Sequence, residues 1–358
     1  MAEVRNAEAR RRLQALIEDR SLEAVILRDP ANLAWYSGGA RSLIVEGPSV
    51  PIFDLVVRPS GDLLVTDEIE AVRLLEDELP GLGLDTEILR WGDPRDPVLP
   101  DGPRVGSDTA MAGRVDLAAE IEAARRSLTA AEVERYRALG TETSAALTET
   151  IQALKPEDRE WDAAAMLAER VVRNRAQPVV LLVAGEARLP RFRHPPPTSA
   201  AIGRRAMLVV CARRDGLIAN VTRLVSFEPL DAETRDAYER LLRVEAAFLD
   251  ATQPGRRVGD VFRDGTQAYG TNGFDPDEWR RHHQGGPTGY MPRDYLATAS
   301  SNAAVQASQA FAWNPSVPGL KVEDTVLAGA GGPEVLTCDP AWPTIEVAGR
   351  IRPAILER

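Results

Sequence analysis

The chain has only three histidines, and all of them lie in two short polar segments. His194 sits in Pro190 to Thr198 (PRFRHPPPT), and His282 and His283 sit in Arg281 to Tyr290 (RHHQGGPTGY). Imidazole exchanges a proton near neutral pH with little tuning, so these are the first candidates for acid and base chemistry. Glu323, in Gly319 to Leu327 (GLKVEDTVL), can orient a histidine or grip a cationic or amide group; as a structural residue it would pair with Arg223. Asn220 and Asn314 are neutral amides, each able to donate and to accept. No Gly-x-Ser-x-Gly elbow or Cys/His nucleophile pair occurs. Gly285, Gly286 and Gly289 accompany histidines and lack the strand-turn-helix spacing of a phosphate-binding loop.

Holding such residues in place takes a sizeable scaffold. With 358 residues and 44% hydrophobic content, two domains are expected, and the boundary is placed between residues 126 and 127. In 1–126, apolar periodicity predicts a helix over Glu8 to Arg20 and strands at Ala24 to Leu27, Ile52 to Val57, Leu63 to Thr66 and Arg104 to Ser107. The Pro/Gly/Asp-rich stretch Gly92 to Gly106 reads mainly as loop. In 127–358, a capping pattern from Thr129 to Glu132 opens a helix to about Leu154, stopped by Pro156, and Trp161 to Arg175 follows as a second. Apolar runs at Val179 to Val183, Met207 to Cys211 and Leu217 to Phe227 precede two further helices, Asp231 to Ala251 and Val258 to Tyr269. Two helices before strands, twice over, give an α+β architecture with an approximate internal repeat.

The net charge of −11 is spread rather than blocked, which argues against nucleic acid or an anionic membrane as partner. No apolar run of membrane-spanning length occurs, and the charged N-terminus has no apolar centre, so a cytoplasmic protein is expected. Cys211 and Cys338 are too few for a disulfide framework or a thiolate metal site and read as buried small residues.

Several phrases resemble, in order, the creatinase/aminopeptidase P/methionine aminopeptidase superfamily. They are Asn32 to Gly39 (NLAWYSGG), Ser127 to Tyr136 (SLTAAEVERY), Leu208 to Phe227, Arg281 to Tyr290, Ala310 to Leu327 and, within it, Gly319 to Leu327. The resemblance implies a pita-bread catalytic domain behind a smaller α/β creatinase-type domain. It also implies two divalent ions held by two aspartates, one histidine and two glutamates. Laid on this chain, that pattern puts Val209 and Asn220 at the aspartates, His282 or His283 at the histidine, Asn314 at the first glutamate and Glu323 at the second. Such a site would leave about three positive charges uncompensated, so neither metal nor other cofactor is expected; the residual possibility within that resemblance is a zinc ion on His282, His283 and Glu323. Asp294, after Arg293, falls near the place where working relatives carry another histidine.

By resemblance to creatinase, the family's metal-free hydrolase, His194 becomes the general acid/base, with His282, His283 and Glu323 as orienting groups. Asn220, Asn314 and Arg223 become binding groups. The same resemblance implies a homodimer whose partner N-terminal domain lies near the site, making Trp35, Tyr36 and Arg41 candidates for substrate contact. Arg41 would clamp a carboxylate, and Trp35 and Tyr36 could equally be core aromatics. The expected function is therefore metal-independent, creatinase-like hydrolysis, or related lyase or isomerase chemistry, on a small polar amino-acid derivative or amide in a bacterial pathway. The alternative is a binding protein on a retired peptidase scaffold. A metal-dependent Xaa-Pro aminopeptidase or dipeptidase comes last on ligand count.

Overall fold

A computed structural model describes residues 2–45 and 50–358. The chain forms two units, Met1–Ala131 with Asp215–Leu217, and Glu132–Arg214 with Ile218–Arg358. No described helix is long and apolar enough to cross a membrane.

The first unit runs α1 (Ala2–Asp19), β1 (Ala24–Leu27), α2 (Pro30–Ser37), β2 (Phe53–Val57), β3 (Leu63–Asp67), α3 (Ala71–Arg73), β4 (Asp85–Leu89), β5 (Val105–Ser107), β6 (Val115–Asp116) and α4 (Ala118–Arg125). Its six-stranded sheet has the order β4-β3-β2-β1-β5-β6. β1 is buried along its whole length, as befits a short uninterrupted apolar run. The NLAWYSGG phrase is mostly α2, a helix the sequence reading did not place. Asp29 caps it by accepting from the Ala31 and Asn32 amides, Pro30 opens it, and Gly38 ends it in the left-handed region at φ 78°.

The chemistry of that phrase is structural. Asn32 donates to Asp108 at 3.0 Å and accepts from Arg125. Tyr36 is fully buried and gives its hydroxyl to Asp62 at 2.5 Å, and Trp35 is 3% exposed. Trp35 and Tyr36 therefore offer no surface to a substrate; they are core aromatics, which corrects their candidacy as contacts. Arg41 is exposed, and its guanidinium already binds Glu78 at 2.7 Å.

In the second unit α5 (Ala130–Ala153), α6 (Glu160–Arg173), β7 (Gln177–Gly185), β8 (Arg205–Arg214) and β9 (Leu217–Ser226) come first. Then follow α7 (Ala232–Ala251), α8 (Val258–Thr271), β10 (Gly285–Thr288), β11 (Ala310–Trp313), β12 (Ser316–Val317), β13 (Leu320–Lys321) and β14 (Asp324–Leu327). β9, β8 and β7 lie side by side in one sheet, and β10, β11 and β14 in another. A bridge joins Thr222 of β9 to Glu323, with the Thr222 amide donating to the Glu323 carbonyl at 3.0 Å. That bridge holds the two sheets together at the position where Glu323 emerges.

Aromatic packing anchors β11. Trp313 stacks between Phe248 of α7, at 4.8 Å, and Phe311, at 5.7 Å, and its indole donates to Thr252 at 2.9 Å. Behind β14 lies a buried ionic network: Arg352 binds Glu245 of α7 and Asp324, and Asp324 also receives Arg223 at 2.9 Å and Thr337 at 2.7 Å. Arg223 is 5% exposed and faces Asp324, so it braces the scaffold and is neither Glu323's partner nor a substrate-binding group. Cys211 is buried, whereas Cys338 is exposed, contrary to the sequence expectation for the second.

Removing one partner of a buried ion pair strands the other. Glu245→Gln should lower the unfolding free energy by about 3 kcal/mol, read as a shifted urea midpoint at unchanged slope. A change below roughly 1 kcal/mol, within the range of exposed pairs, would mean that the network does not tie α7 to β14.

Candidate active site

The histidines are positioned by a tightly fastened loop. After the short helical turn Glu278–Arg281, His282 is extended, and Gln284 then pins the segment. Its amide donates to the carbonyls of Trp279 at 2.9 Å and His282 at 2.7 Å, while accepting from the Tyr269 hydroxyl at 2.9 Å. Gly285 has φ 89°, and a Cβ there would lie 2.0 Å from the Ala312 carbonyl oxygen. Only glycine permits this β10 to β11 approach, so the Gly-Gly after the histidines serves strand pairing. The same approach lets the Asn314 amide donate to the Gln284 carbonyl at 3.1 Å.

His194 arrives from the loop between β7 and β8, where the Val183 amide donates to the Pro195 carbonyl at 3.1 Å. Its imidazole meets the other two. His194 Nε2 lies 3.0 Å from His282 Nε2, and His282 Nδ1 lies 3.0 Å from Ser316 Oγ. Ring centroids are 4.7 Å apart for His194 and His282, 5.1 Å for His194 and His283, and 4.5 Å for His282 and His283. His282 is buried and His194 exposed, so the row Ser316, His282, His194 runs outward to an open end. Among the described residues, His194 Nδ1 has no hydrogen-bond partner.

Burial, reinforced by the nearby Lys321 charge, pushes His282 down to about 2 and lowers His194. Burial and then Arg293 push His283 down to about 4. All three imidazoles are consequently neutral at pH 7.

Glu323 is 2% exposed and holds three partners through its carboxylate: Arg293 at 2.6 Å, Lys321 at 3.0 Å and the Thr222 hydroxyl at 2.8 Å. Burial alone would raise its pKa; Lys321, Arg293 and Thr222 overcome that and hold it well below the usual carboxylate range. Lys321, Arg293 and Ser316 were not foreseen as site residues. A signal existed for Lys321, because positions 321 and 323 are two apart in extended chain and share a face. Arg293 and Ser316 carried no comparable local sign.

At the remaining positions implied for metal ligands the donors do not suit a pair of divalent ions. Val209 belongs to the apolar core. Asn220 and Asn314 are almost fully buried, and each has an amide oxygen without a partner. Asn220 points its nitrogen at Thr288, 3.1 Å away. Two divalent ions need about four anionic ligands, whereas this set provides one carboxylate already neutralised by two cations. The structure thus brings His194, His282 and His283 together, with Glu323 beside them through Lys321 and Arg293. Trp35, Tyr36 and Arg41 belong to the first unit.

A model of metallopeptidase family M24 matches residues 134–330, more than half of the chain, and one of the creatinase/prolidase N-terminal domain matches residues 10–157. The prolidase from Pyrococcus horikoshii OT3 superposes with a TM-score of 0.78 at 15% identity, covering 93% of this chain and 98% of that one. Dipeptidase PepE from Mycobacterium ulcerans gives 0.78 at 18% identity, covering 95% and 97%. An uncharacterized peptidase of Staphylococcus aureus (strain MW2) is 26% identical over 125 residues, 33% of this chain and 35% of that protein. The chain spans about a third of the length of the curated relatives it matches. With a creatinase-type N-terminal domain ahead of a pita-bread domain of α+β architecture, the chain belongs to metallopeptidase family M24.

Proposed function

We propose that this family member is a metal-independent, creatinase-like hydrolase that cleaves a C–N bond in a small polar amino-acid derivative or amide, with imidazole moving the protons. The observation that carries the reading is the 3.0 Å approach of His194 Nε2 to His282 Nε2, continued by 3.0 Å to Ser316. His194 takes a proton from water at Nδ1 and shares its Nε2 proton with His282 Nε2, so the positive charge is spread over the two imidazoles while His282 Nδ1–H stays donated to Ser316 Oγ. The water oxygen adds to the carbon. His194 then returns the Nδ1 proton to the leaving nitrogen as the C–N bond breaks, and the relay resets. Lys321, Arg293 and Glu323 together leave one net positive charge beside the imidazoles, which favours an oxyanion developing there. We further infer a cytoplasmic homodimer in which Arg41 of the partner's N-terminal domain reaches the substrate.

A second reading has support of its own. Membership of a metallopeptidase family, together with structural neighbours named as an X-Pro aminopeptidase and an Xaa-Pro dipeptidase, favours a metal-dependent Xaa-Pro peptidase. Release of the N-terminal residue from an Xaa-Pro peptide only after manganese is added would establish that reading and defeat the first.

Two outcomes follow from the first. Metal-stripped protein should release amine from a member of a panel of small amides and dipeptides, and His194→Ala should lower its kcat/KM by about 10²- to 10⁴-fold. Wild-type rates in that variant, by continuous amine detection, would remove His194 from the chemistry. Glu323→Gln leaves buried Lys321 and partly buried Arg293 without their carboxylate and should lose about 3 kcal/mol of stability in chemical denaturation. An unchanged midpoint would mean that the carboxylate is not the anchor of the site.

A further inference from the structure

The three imidazoles also make a chelating set. Their ligand atoms all lie within 4.8 Å of one another. Nitrogens bound tetrahedrally at zinc are about 3.3 Å apart, close to the 3.0 Å between His194 Nε2 and His282 Nε2. Ser316 holds His282 Nδ1, which leaves its Nε2 directed inward, the arrangement that fixes a metal-binding imidazole from its far side. His283 Nδ1 is buried and has no hydrogen-bond partner, a lone donor with nothing to bind. Glu323 is excluded from the set because its oxygens are held by Arg293, Lys321 and Thr222, so the third imidazole takes the place a carboxylate would fill.

We propose that His194, His282 and His283 bind a single borderline transition-metal ion, of the zinc, cobalt, nickel or copper class, and that this ion silences the enzyme. The second half rests on the relay proposed above. An ion on His194 Nε2 and His282 Nε2 occupies the same two lone-pair positions between which the proton passes, so relay and coordination exclude each other. Nitrogen donors without a free carboxylate do not retain magnesium or calcium. Lys321 and Arg293 stand beside the cluster, which weakens the hold on any dication and makes occupancy reversible.

The test uses the full chain stripped of metal and titrated with Zn²⁺ or Co²⁺ in calorimetry and equilibrium dialysis. One ion per chain is expected, with no uptake of Mg²⁺ or Ca²⁺. His283→Ala should weaken binding by about tenfold or more, and Ser316→Ala, which keeps all three ligands, by about tenfold. Zn²⁺ should also slow carbethoxylation of His194 by diethyl pyrocarbonate, a readout that needs no substrate. Where turnover is measurable, Zn²⁺ lowers it and a chelator restores it. Absence of saturable binding, or affinity unchanged in both variants with their circular dichroism intact, overturns the site. Binding that accelerates turnover overturns the silencing. A protein that binds zinc as expected yet shows wild-type turnover in His194→Ala keeps the site and loses the relay, so the two failures are told apart.

Discussion

A buried carboxylate between buried Lys321 and partly buried Arg293 sets the terms for the rest of the second unit. Each close pair around Glu323 is worth on the order of 5 kcal/mol of attraction at an effective dielectric near 20, and desolvation of the charges takes back several kcal/mol per ion. The assembly is therefore close to neutral when intact and costly to break. For Glu323 to take another partner, it would have to release buried Lys321 or partly buried Arg293. Lys321, Arg293 and Thr222 already occupy the oxygens of this carboxylate.

The same pair of cations governs the histidines. Lys321 depresses the protonation of every imidazole in the cluster, in addition to the effect of burial. The neutral rings of His194 and His282 can share a proton across their contact, since each offers one donor and one acceptor. Protonated rings packed this closely would repel one another. The charge arrangement and the short Nε2 to Nε2 contact are thus two aspects of one requirement.

Much of the scaffold was legible in the sequence because it rests on local signals. The apolar runs of β1, β8 and β9 and the periodic helices α5 to α8 fall within a few residues of where hydrophobicity placed them. What escaped were features set by distant partners or by short capped turns. Helix α2 is eight residues long, and its signal is Asp29, Pro30 and Gly38 rather than periodicity. Strand β4 is largely exposed and has no continuous apolar face to announce it. The three histidines stood out by residue type, since few other groups in the chain can carry protons at neutral pH, whereas Glu323, one of 54 acidic residues, stood out only through the family-like phrase around it. Their partners did not stand out: Arg293 is one arginine among many, and only folding reveals that it meets Glu323. The Arg223 expectation failed for a related reason, because neighbouring residues in extended chain point to opposite faces. Arg223 follows Thr222, which meets Glu323, and so its own side chain goes to Asp324 on the other side.

That alternation also separates function from support along β14. Glu323 faces the imidazoles through Lys321 and Arg293, while Asp324 faces Arg223 and Arg352 and, through Arg352, the helix carrying Glu245. A one-residue slip of this strand would exchange the two carboxylates and put each among the wrong cations. The register is fixed by four residue pairs between β11 and β14 and by the Thr222 bridge. The aromatic stack on Trp313 lies at the end of that same ladder, opposite Asp324. Rigidity at the imidazole cluster is therefore transmitted from the core through strand register, and this allows a loop histidine such as His194 to meet a buried partner at hydrogen-bond distance.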